Sequence, residues 1–333
     1  MLENSRPHRY AKILAAGCYL PPQVVDNDAL IERFRLPIDS EWIFSRTGIR
    51  SRHWMSPDQT TSDMCVAAAT RILQRAEVSI RDVDRIILAT ISPDLPSPST
   101  ATIVARKLGA SCAAFDISAA CAGFLYGLDL GIATIRQGAG HVLVLAADAR
   151  SRFLDTSDVR SIVLFADGAA GVLLGGSDRP GFLSIYLGAE GRERMGAYIP
   201  AGGAACPASH HTVDGRLHFL KVDGRKEIFE LFIRFTRQAC TRALEDAGLT
   251  LQDVDLFITH QGNALMVQAV LDDLGIPSAK AVNNIAHHGN TAGATVPIAL
   301  VEALEAGRIK PGNRVLITSV GAGYTFGAAV YCF

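Results

Sequence analysis

The sequence predicts an α/β protein built from two similar halves, and three observations lead to this prediction. The chain has 333 residues, of which 49% are hydrophobic, enough to bury a large core. A shift of the sequence by 171 positions aligns residues 67–90 with residues 238–261 without a gap. In addition, uninterrupted strands rich in Val, Ile and Leu alternate with helical patterns, which is typical of sheets covered by helices.

Each copy of the repeat is predicted to form an amphipathic helix, a turn and a buried strand. The strands are Arg85–Thr90 in the first copy and Leu256–His260 in the second. The patterns Thr-Arg-x-Leu-x-x-Ala and Asp-Val-Asp-x-x-Ile occur in both copies. Chance similarity between two α/β segments is the alternative explanation. We expect one half at residues 1–180 and the other at residues 181–333.

Two later helices are expected to correspond in the same way. One is predicted at Ala122–Gln137 and the other at Thr291–Ala306, each ending at a glycine. This correspondence would place Cys121 and Asn290 at equivalent helix N-termini, facing one site.

Cys121 is the best candidate for a nucleophile in the chain. It follows a short apolar strand and small residues and stands at the first turn of the predicted helix. Unpaired backbone N–H groups and the helix dipole stabilise a thiolate at that position. The alternative is an inert buried side chain, since free cysteines are among the most buried residues.

His260 and Asn290 are the other candidate site residues. His260 ends a strand of the second half, and ligands of α/β sheets usually bind at the carboxyl ends of strands. A satisfied core histidine is the alternative for His260. Asn290 precedes a helix, so a capping role is the alternative for its side chain.

Composition and spacing argue against several classes of protein. The net charge of −1, without a basic and aromatic stretch, does not fit a nucleic-acid binder. The N-terminus lacks an apolar signal core and no long apolar run occurs, so we expect a soluble cytoplasmic protein without a membrane segment. Seven cysteines without a Cys-x-x-Cys pair argue against a disulfide framework and a zinc site. His287 and His288 are interpreted as a polar loop rather than as metal ligands.

Six segments carry a family resemblance, and they occur in order along nearly the whole chain. They are residues 41–43 with 46–50, 118–123, 165–169, 259–263, 287–292 and 321–327. Together they resemble the β-ketoacyl-acyl carrier protein synthase III family of the thiolase superfamily. The resemblance implies a thiolase-like fold, layered α-β-α-β-α, with two halves related by pseudo-twofold symmetry. The glycine-rich segment 321–327 does not fit a dinucleotide loop, because a strand pattern rather than a helix follows it.

The resemblance also implies a reaction and the residues that perform it. Cys121 matches the residue that accepts an acyl group from acyl-CoA. His260 and Asn290 match the pair that binds the carbonyl of a malonyl thioester, which loses CO₂ in a decarboxylative Claisen condensation. The backbone N–H groups of Ala322 and Cys121 match the oxyanion donors. No permanently bound cofactor and no metal are implied, and a homodimer is expected.

Substrate-binding residues are expected from the same resemblance. Trp42 and Arg46 match an aromatic platform and a cation for CoA, and Asn263 lies in a matching motif. The family has an arginine that covers the other face of the adenine, and Val159 stands at its position. The neighbouring Arg160 is expected to take its place. Ser97 lies near the position at which the family has a phenylalanine that closes the acyl pocket. In a homodimer, the loop around Ser97 is expected near the partner's tunnel. The smaller side chain predicts a starter longer or bulkier than acetyl.

The surface that the family uses for its acidic carrier protein is altered in this chain. Basic residues are replaced by Glu230, Leu265, Asp272 and Asp273. Like charges that face each other across an interface cost affinity, so docking of an ordinary acyl carrier protein is expected to be weakened.

Three other functions remain as alternatives at this stage. The first is an acyltransferase that passes the acyl group to an oxygen or nitrogen nucleophile, although Asn290 argues against it because simple acyl transfer needs no enolate clamp. The second is a non-catalytic partner subunit. The third is a cysteine protease, which shares the residue types but not the duplicated halves.

Overall fold

The computed structural model describes residues 10–333, so the N-terminal segment considered above lies outside the described residues. The strands are β1 Tyr10–Tyr19, β2 Gln23–Asp26, β3 Ser51–Trp54, β4 Arg85–Ala89, β5 Ala113–Ile117, β6 His141–Ala149, β7 Asp167–Ser177, β8 Phe182–Ala189, β9 Ala197–Tyr198, β10 Lys221–Val222, β11 Leu256–Thr259, β12 Arg314–Val320 and β13 Thr325–Cys332. The helices are α1 Asn27–Phe34, α2 Ser40–Thr47, α3 Thr61–Ala76, α4 Thr100–Leu108, α5 Gly123–Arg136, α6 Val159–Ile162, α7 His210–Asp214, α8 Arg225–Ala247, α9 Ala264–Leu274, α10 Ile285–His288 and α11 Thr295–Glu305.

Two larger sheets repeat one strand order. The first sheet has the order β5-β4-β6-β7-β1, in which β4, β5 and β6 are parallel and β7 and β1 are antiparallel to their neighbours. The second has the order β11-β12-β13-β8, with β11 and β12 parallel and the other two strands antiparallel. Thus β4, β6, β7 and β1 correspond to β11, β12, β13 and β8. The sequence repeat therefore appears in the structure as a repeated topology.

The helices and sheets form five layers. Helices α5 and α11 lie between the two sheets and share one hydrophobic core with both of them. Helices α3 and α4 cover the outer face of the first sheet, and α8 and α9 cover the outer face of the second. The central helix α11 is apolar around most of its circumference, as expected for a helix buried on all sides. The predicted α-β-α-β-α layering is confirmed.

The two outer helices of the repeat have matching local signals. Helix α3 begins with a capping box in which Thr60 and Asp63 satisfy each other's backbone N–H groups. It ends at Glu77 in the left-handed conformation, and α8 ends in the same way at Gly248, where the φ of 66° favours glycine. Both helices bury one apolar face against their own sheet, as the periodicity predicts.

The predicted equivalence of Cys121 and Asn290 is wrong. Each central helix is preceded by a 3₁₀ turn, at Ala120–Ala122 and at Ala292–Ala294, rather than beginning at the predicted residue. Ala120 and Ala292 open these turns with left-handed φ values of 46° and 50°. The matching conformations make Gly293 the counterpart of Cys121. The backbone conformation sets the register between the two halves. The alignment of the expected helix starts therefore placed the counterpart of Cys121 three residues too early, at position 290 instead of 293.

The chain passes from the first sheet to the second between β7, which ends at Ser177, and β8, which begins at Phe182. This position is compatible with a division of the chain at residue 180, which stays a prediction. Over residues 10–333, none of the helices is both long and apolar enough to span a membrane.

Candidate active site

A cavity of about 330 Å³ opens where the two central helices begin. Its wall combines residues from both sheets, including the turn at Cys121, the end of β11 and the segment after β12. The predicted catalytic residues all contribute to this wall, as do four of the five predicted substrate-binding residues. They are Cys121, His260, Asn290 and Ala322 together with Trp42, Arg46, Arg160 and Asn263.

The backbone around Cys121 is held by the second half of the molecule. Ser319 Oγ donates to the Cys121 carbonyl oxygen at 2.7 Å, and Thr325 Oγ1 donates to the Ala119 carbonyl oxygen at 2.6 Å. A Cβ atom at Gly321 would lie only 2.8 Å from the Cys121 nitrogen. The close approach of these two backbones therefore requires glycine at position 321.

The predicted stabilisation of the Cys121 thiolate is wrong. Burial, assisted by the Asp148 carboxylate, raises the pKa of Cys121 to about 12. The Arg150 cation and a backbone hydrogen bond act in the opposite direction but do not compensate. The cost of removing a thiolate from water exceeds the stabilisation that the helix N-terminus gives it. Cys121 therefore rests as a thiol and must lose its proton when it reacts.

His260 is a buried, neutral ring at the end of β11. Only 5% of its surface is exposed, and burial lowers its pKa to about 4. Its Nδ1 atom lies 2.7 Å from Thr295 Oγ1, which in turn lies 3.1 Å from the Ala292 carbonyl oxygen. His260 is therefore oriented by a hydroxyl group from the first residue of α11, with Nε2 left for a ligand.

The Asn290 side chain is oriented by two backbone contacts. Its Oδ1 accepts from the Ala292 N–H at 2.9 Å, and its Nδ2 donates to the Gly262 carbonyl oxygen at 3.3 Å. The first contact is a local cap, as the alternative interpretation expected. A side-chain amide has two N–H bonds, so a second donor remains for a ligand.

Gly262 leaves room between the imidazole and the amide. A Cβ atom at this position would lie 3.0 Å from His260 Nε2 and 3.8 Å from Asn290 Nδ2. Both nitrogen atoms therefore border the same small space, which a carbonyl oxygen could enter to accept from each of them.

A second pair of donors lies beside Cys121. Gly321 N–H donates to the Thr325 carbonyl and Gly323 N–H to the Met195 carbonyl. Between them, the Ala322 N–H has no backbone acceptor within residues 10–333, and neither does the Cys121 N–H. A Cβ atom at residue 321 would lie 2.8 Å from the Cys121 nitrogen, so the segments that carry these two N–H groups pack against each other, and their role as oxyanion donors stays a prediction.

The mouth of the cavity is aromatic and positively charged. The Arg46 guanidinium lies 4.4 Å from the centre of the Trp42 ring, and Asn263 Nδ2 donates to the Arg46 carbonyl oxygen. Arg160 and Arg225 line the same opening, and burial together with the nearby Arg160 cation lowers the pKa of Arg225. No Asp or Glu belongs to the part of the wall formed by residues 10–333. The opening is thus suited to an anionic ligand with a flat ring.

Ser97 is not part of this wall. It is exposed on the loop between β4 and α4, away from the cavity of its own chain. An exposed loop is compatible with the expected contact to a partner's tunnel, and both that contact and the predicted effect of Ser97 on the acyl pocket stay predictions.

The altered carrier surface has a mixed charge. Leu265 is 52% exposed and lies at the cavity mouth. Glu230 lies 3.8 Å from Lys226, and Asp273 forms an ion pair with Arg237. Asp272 accepts a hydrogen bond from Gln268 at 2.8 Å. Neighbouring bases partly neutralise the acids, and weakened carrier docking stays a prediction.

Sequence reasoning missed three residues of the site: Thr295, Arg225 and Arg150. Thr295 and Arg225 lie at helix starts and look like ordinary helix residues, so no sequence signal identifies them. Arg150 follows the apolar strand β6 directly, and a charge at that position was a usable signal.

The chain is similar to known proteins over nearly its whole length. Family models described as 3-oxoacyl-[acyl-carrier-protein] synthase III and its C-terminal part match residues 115–191 and 244–333. A β-ketoacyl-[acyl-carrier-protein] synthase III of Syntrophomonas wolfei is 41% identical over 321 residues, 95% of each chain.

Two solved structures show the same architecture. The 3-oxoacyl-[acyl-carrier-protein] synthase III of Aquifex aeolicus aligns with a TM-score of 0.88 and 36% identity, over 97% of this chain and 100% of the other. A priming β-ketosynthase of the R1128 polyketide pathway aligns with a TM-score of 0.89 and 31% identity, over 98% and 97%. These alignments confirm the predicted fold class.

Proposed function

The chain belongs to the 3-oxoacyl-[acyl-carrier-protein] synthase III family, and on this premise we propose that Cys121, His260 and Asn290 perform its two half-reactions. The enzyme is a ketosynthase: it takes an acyl group from acyl-CoA and condenses it with a malonyl thioester, with loss of CO₂. The resemblance found in the sequence is thereby confirmed, and the assignment of each step to a residue is our proposal.

In the first half-reaction Cys121 attacks the acyl-CoA carbonyl. A bond forms between Sγ and the acyl carbon, the bond to the CoA sulfur breaks, and CoA leaves as a thiol with the proton that Cys121 gives up. The oxyanion of the tetrahedral intermediate accepts from the N–H groups of Cys121 and Ala322. The raised pKa of Cys121 favours a resting thiol, which protects it from unproductive reactions before substrate arrives.

In the second half-reaction His260 and Asn290 bind the malonyl thioester carbonyl. The bond to the carboxylate breaks, CO₂ leaves, and the electron pair forms an enolate whose oxygen accepts from both side chains. The enolate carbon then attacks the acyl carbon, and the bond to Cys121 Sγ breaks to regenerate the thiolate. A neutral ring with Nε2–H is the form of His260 that can donate, and its lowered pKa keeps it neutral.

One observation carries the assignment: the space beside Gly262 borders both His260 Nε2 and Asn290 Nδ2. Two donors that meet at one point suit an enolate oxygen, which simple transfer to an alcohol or amine does not create. This geometry favours carbon over an oxygen or nitrogen nucleophile as the acyl acceptor.

Separate assays of the half-reactions test the proposal. Intact-protein mass spectrometry should find one acyl group on Cys121 after incubation with an acyl-CoA, and none on Cys121→Ala. Addition of a malonyl thioester should release CO₂ and remove the label, whereas Asn290→Ala should retain the label. Loss of the label to an alcohol or amine without CO₂ release would instead establish an acyltransferase.

The similarity to acyl carrier protein synthases and the positive charge of the cavity mouth support a proposal for the binding partners. We propose a homodimer and an acyl carrier protein as the carrier of the malonyl group. Arg160 and Arg225 are the cations at the mouth that an acidic carrier or the phosphates of CoA would meet.

A further inference from the structure

A buried cation faces the acyl pocket, and the reaction proposed above does not use it. Arg150 follows β6, is only 2% exposed, and lines the cavity together with Cys121 and Ile91. Its guanidinium carbon lies 5.7 Å and 5.6 Å from the centres of the Phe153 and Phe165 rings. The charge is therefore enclosed by aromatic side chains and the cavity.

Arg150 lacks the partners that a buried arginine needs. Its Nε atom has no hydrogen-bond partner, and within residues 10–333 its guanidinium forms neither a hydrogen bond nor an ion pair. Arg52, which is fully buried, provides the contrast. Its terminal nitrogens donate to the Val25 and Val163 carbonyls and to Asn27 Oδ1. The Nε atom of Arg52 also lacks a partner, but both of its terminal nitrogens are satisfied, whereas neither terminal nitrogen of Arg150 donates a hydrogen bond within residues 10–333.

The carboxylates nearest to Arg150 are engaged elsewhere. Asp148 accepts from the Ile91 and Gly293 N–H groups and from the hydroxyl groups of Thr90 and Ser92. Asp167 accepts from Met55 N–H and from the N–H and hydroxyl groups of Ser151. Their charges oppose the lowering of the Arg150 pKa by burial without contacting the guanidinium. Burying a cation without a hydrogen-bonded partner is costly, so a retained one points to a ligand that supplies the partner.

We propose that Arg150 binds a carboxylate at the far end of the acyl group, so that the preferred starter is the mono-CoA thioester of a dicarboxylic acid. A guanidinium binds a carboxylate with two parallel hydrogen bonds, and enclosure by Phe153 and Phe165 strengthens the attraction. The phosphates of CoA are met separately by the arginines at the mouth. The distal carboxylate takes no part in bond making, and the product keeps it beside a new 3-oxo group. This inference rests on the proposed function.

The malonyl group also carries a carboxylate, but it is the less suitable ligand. A cation bound to that carboxylate stabilises the ground state, while the transition state loses the charge as CO₂ departs. Such a contact would slow the condensation. The carboxylate that survives the reaction is therefore the one that Arg150 is suited to bind.

The test compares initial rates of Cys121 acylation by mass spectrometry. The substrates are the mono-CoA thioesters of linear C4, C5 and C6 dicarboxylic acids and the straight-chain acyl-CoAs of equal carbon number. At one or more of these chain lengths, the wild type should be acylated faster by the carboxylated thioester than by the straight-chain acyl-CoA of equal carbon number. Arg150→Met should lower that preference about 10- to 100-fold, the value of one charged hydrogen-bonded contact, and Arg150→Lys should retain part of it. The ratio of rates within one variant does not depend on how much of that variant is folded.

Arg152→Met is the matched control. Arg152 lies on the same 3₁₀ turn, Arg150–Phe153, but donates to backbone carbonyl groups outside the cavity, so its removal should leave the preference unchanged. Equal acylation by both members of every pair, or an unchanged preference in Arg150→Met, overturns the inference. If Arg150→Met changes only the KM for the malonyl thioester, the residue binds the extender and the inference is also wrong. Failure of every acyl-CoA to label Cys121 would instead overturn the proposed function.

Discussion

His260 Nδ1 lies 2.7 Å from Thr295 Oγ1, and this contact joins the strand end of the site to the first residue of α11. A neutral imidazole carries one proton, and a hydroxyl group can donate only one. If the Thr295 hydroxyl donates to Nδ1, the ring proton lies on Nε2, where it faces the space beside Gly262. If Thr295 donates to the Ala292 carbonyl instead, Nδ1 carries the proton and Nε2 becomes an acceptor. Thr295 therefore controls the tautomer of His260.

Thr295→Val should impair condensation more than acylation. The substitution preserves the shape of the side chain but removes the hydroxyl group that can donate to Nδ1 and thereby hold the ring proton on Nε2. We expect the CO₂ release rate of acylated enzyme to fall by about tenfold, the value of one hydrogen bond. Thr295→Ser should restore most of the rate, since serine keeps the hydroxyl. Equal losses in both half-reactions, or failure of serine to restore the rate, would contradict this role.

Gly262→Ala should block the malonyl carbonyl. The new methyl group would lie 3.0 Å from His260 Nε2, in the space that the oxygen needs. Loss of a pair of oxyanion-type donors typically costs ~10²-fold or more in rate, so condensation should fall by at least that factor. Acylation of Cys121 should change little. Gly191→Ala is a suitable control because its Cβ would meet no atom within 4 Å; an unaffected condensation rate in Gly262→Ala would refute the assignment of this space.

The two half-reactions should differ in their pH dependence. His260 has a pKa lowered to about 4, so the neutral ring predominates above that pH and is lost below it. Condensation by acylated enzyme should be insensitive to His260 titration from neutral pH to about pH 5 and decline toward pH 4. The Cys121 pKa is raised to about 12, so acylation should increase as alkali increases the thiolate fraction. Single-turnover rates of acylation and of condensation, measured over a range of pH, test this expectation. Two superimposable pH profiles would count against the roles assigned to Cys121 and His260.

Arg160→Ala and Arg225→Ala should each raise the KM for acyl-CoA by ~10-fold, because each removes a charge-assisted contact with a phosphate. The effect should diminish at high salt, where exposed charges are screened. A short acyl thioester without the nucleotide part should show no such change. Lys310→Ala, at an exposed position outside the cavity, is the matched control. Equal effects on the short thioester would mean that these arginines act through structure instead.

The fold was largely predictable because its determinants are local. Continuous apolar strands and amphipathic helices follow from the periodicity of hydrophobic residues, and the repeat of residues 67–90 at 238–261 anticipated the matching sheets. The register of the central helices was not predictable. The left-handed residues Ala120 and Ala292 set it, and alanine carries no signal for that conformation.

The sequence by itself determined the layered architecture, the family and the residue types of the chemistry, since each of these depends on patterns along the chain. Tertiary structure alone decided the electrostatics of the site. Burial makes Cys121 a resting thiol and His260 a neutral ring, and it leaves Arg150 in the acyl pocket without a partner. The cost of removing a charge from water depends on every element packed around it, and those elements come from distant parts of the chain.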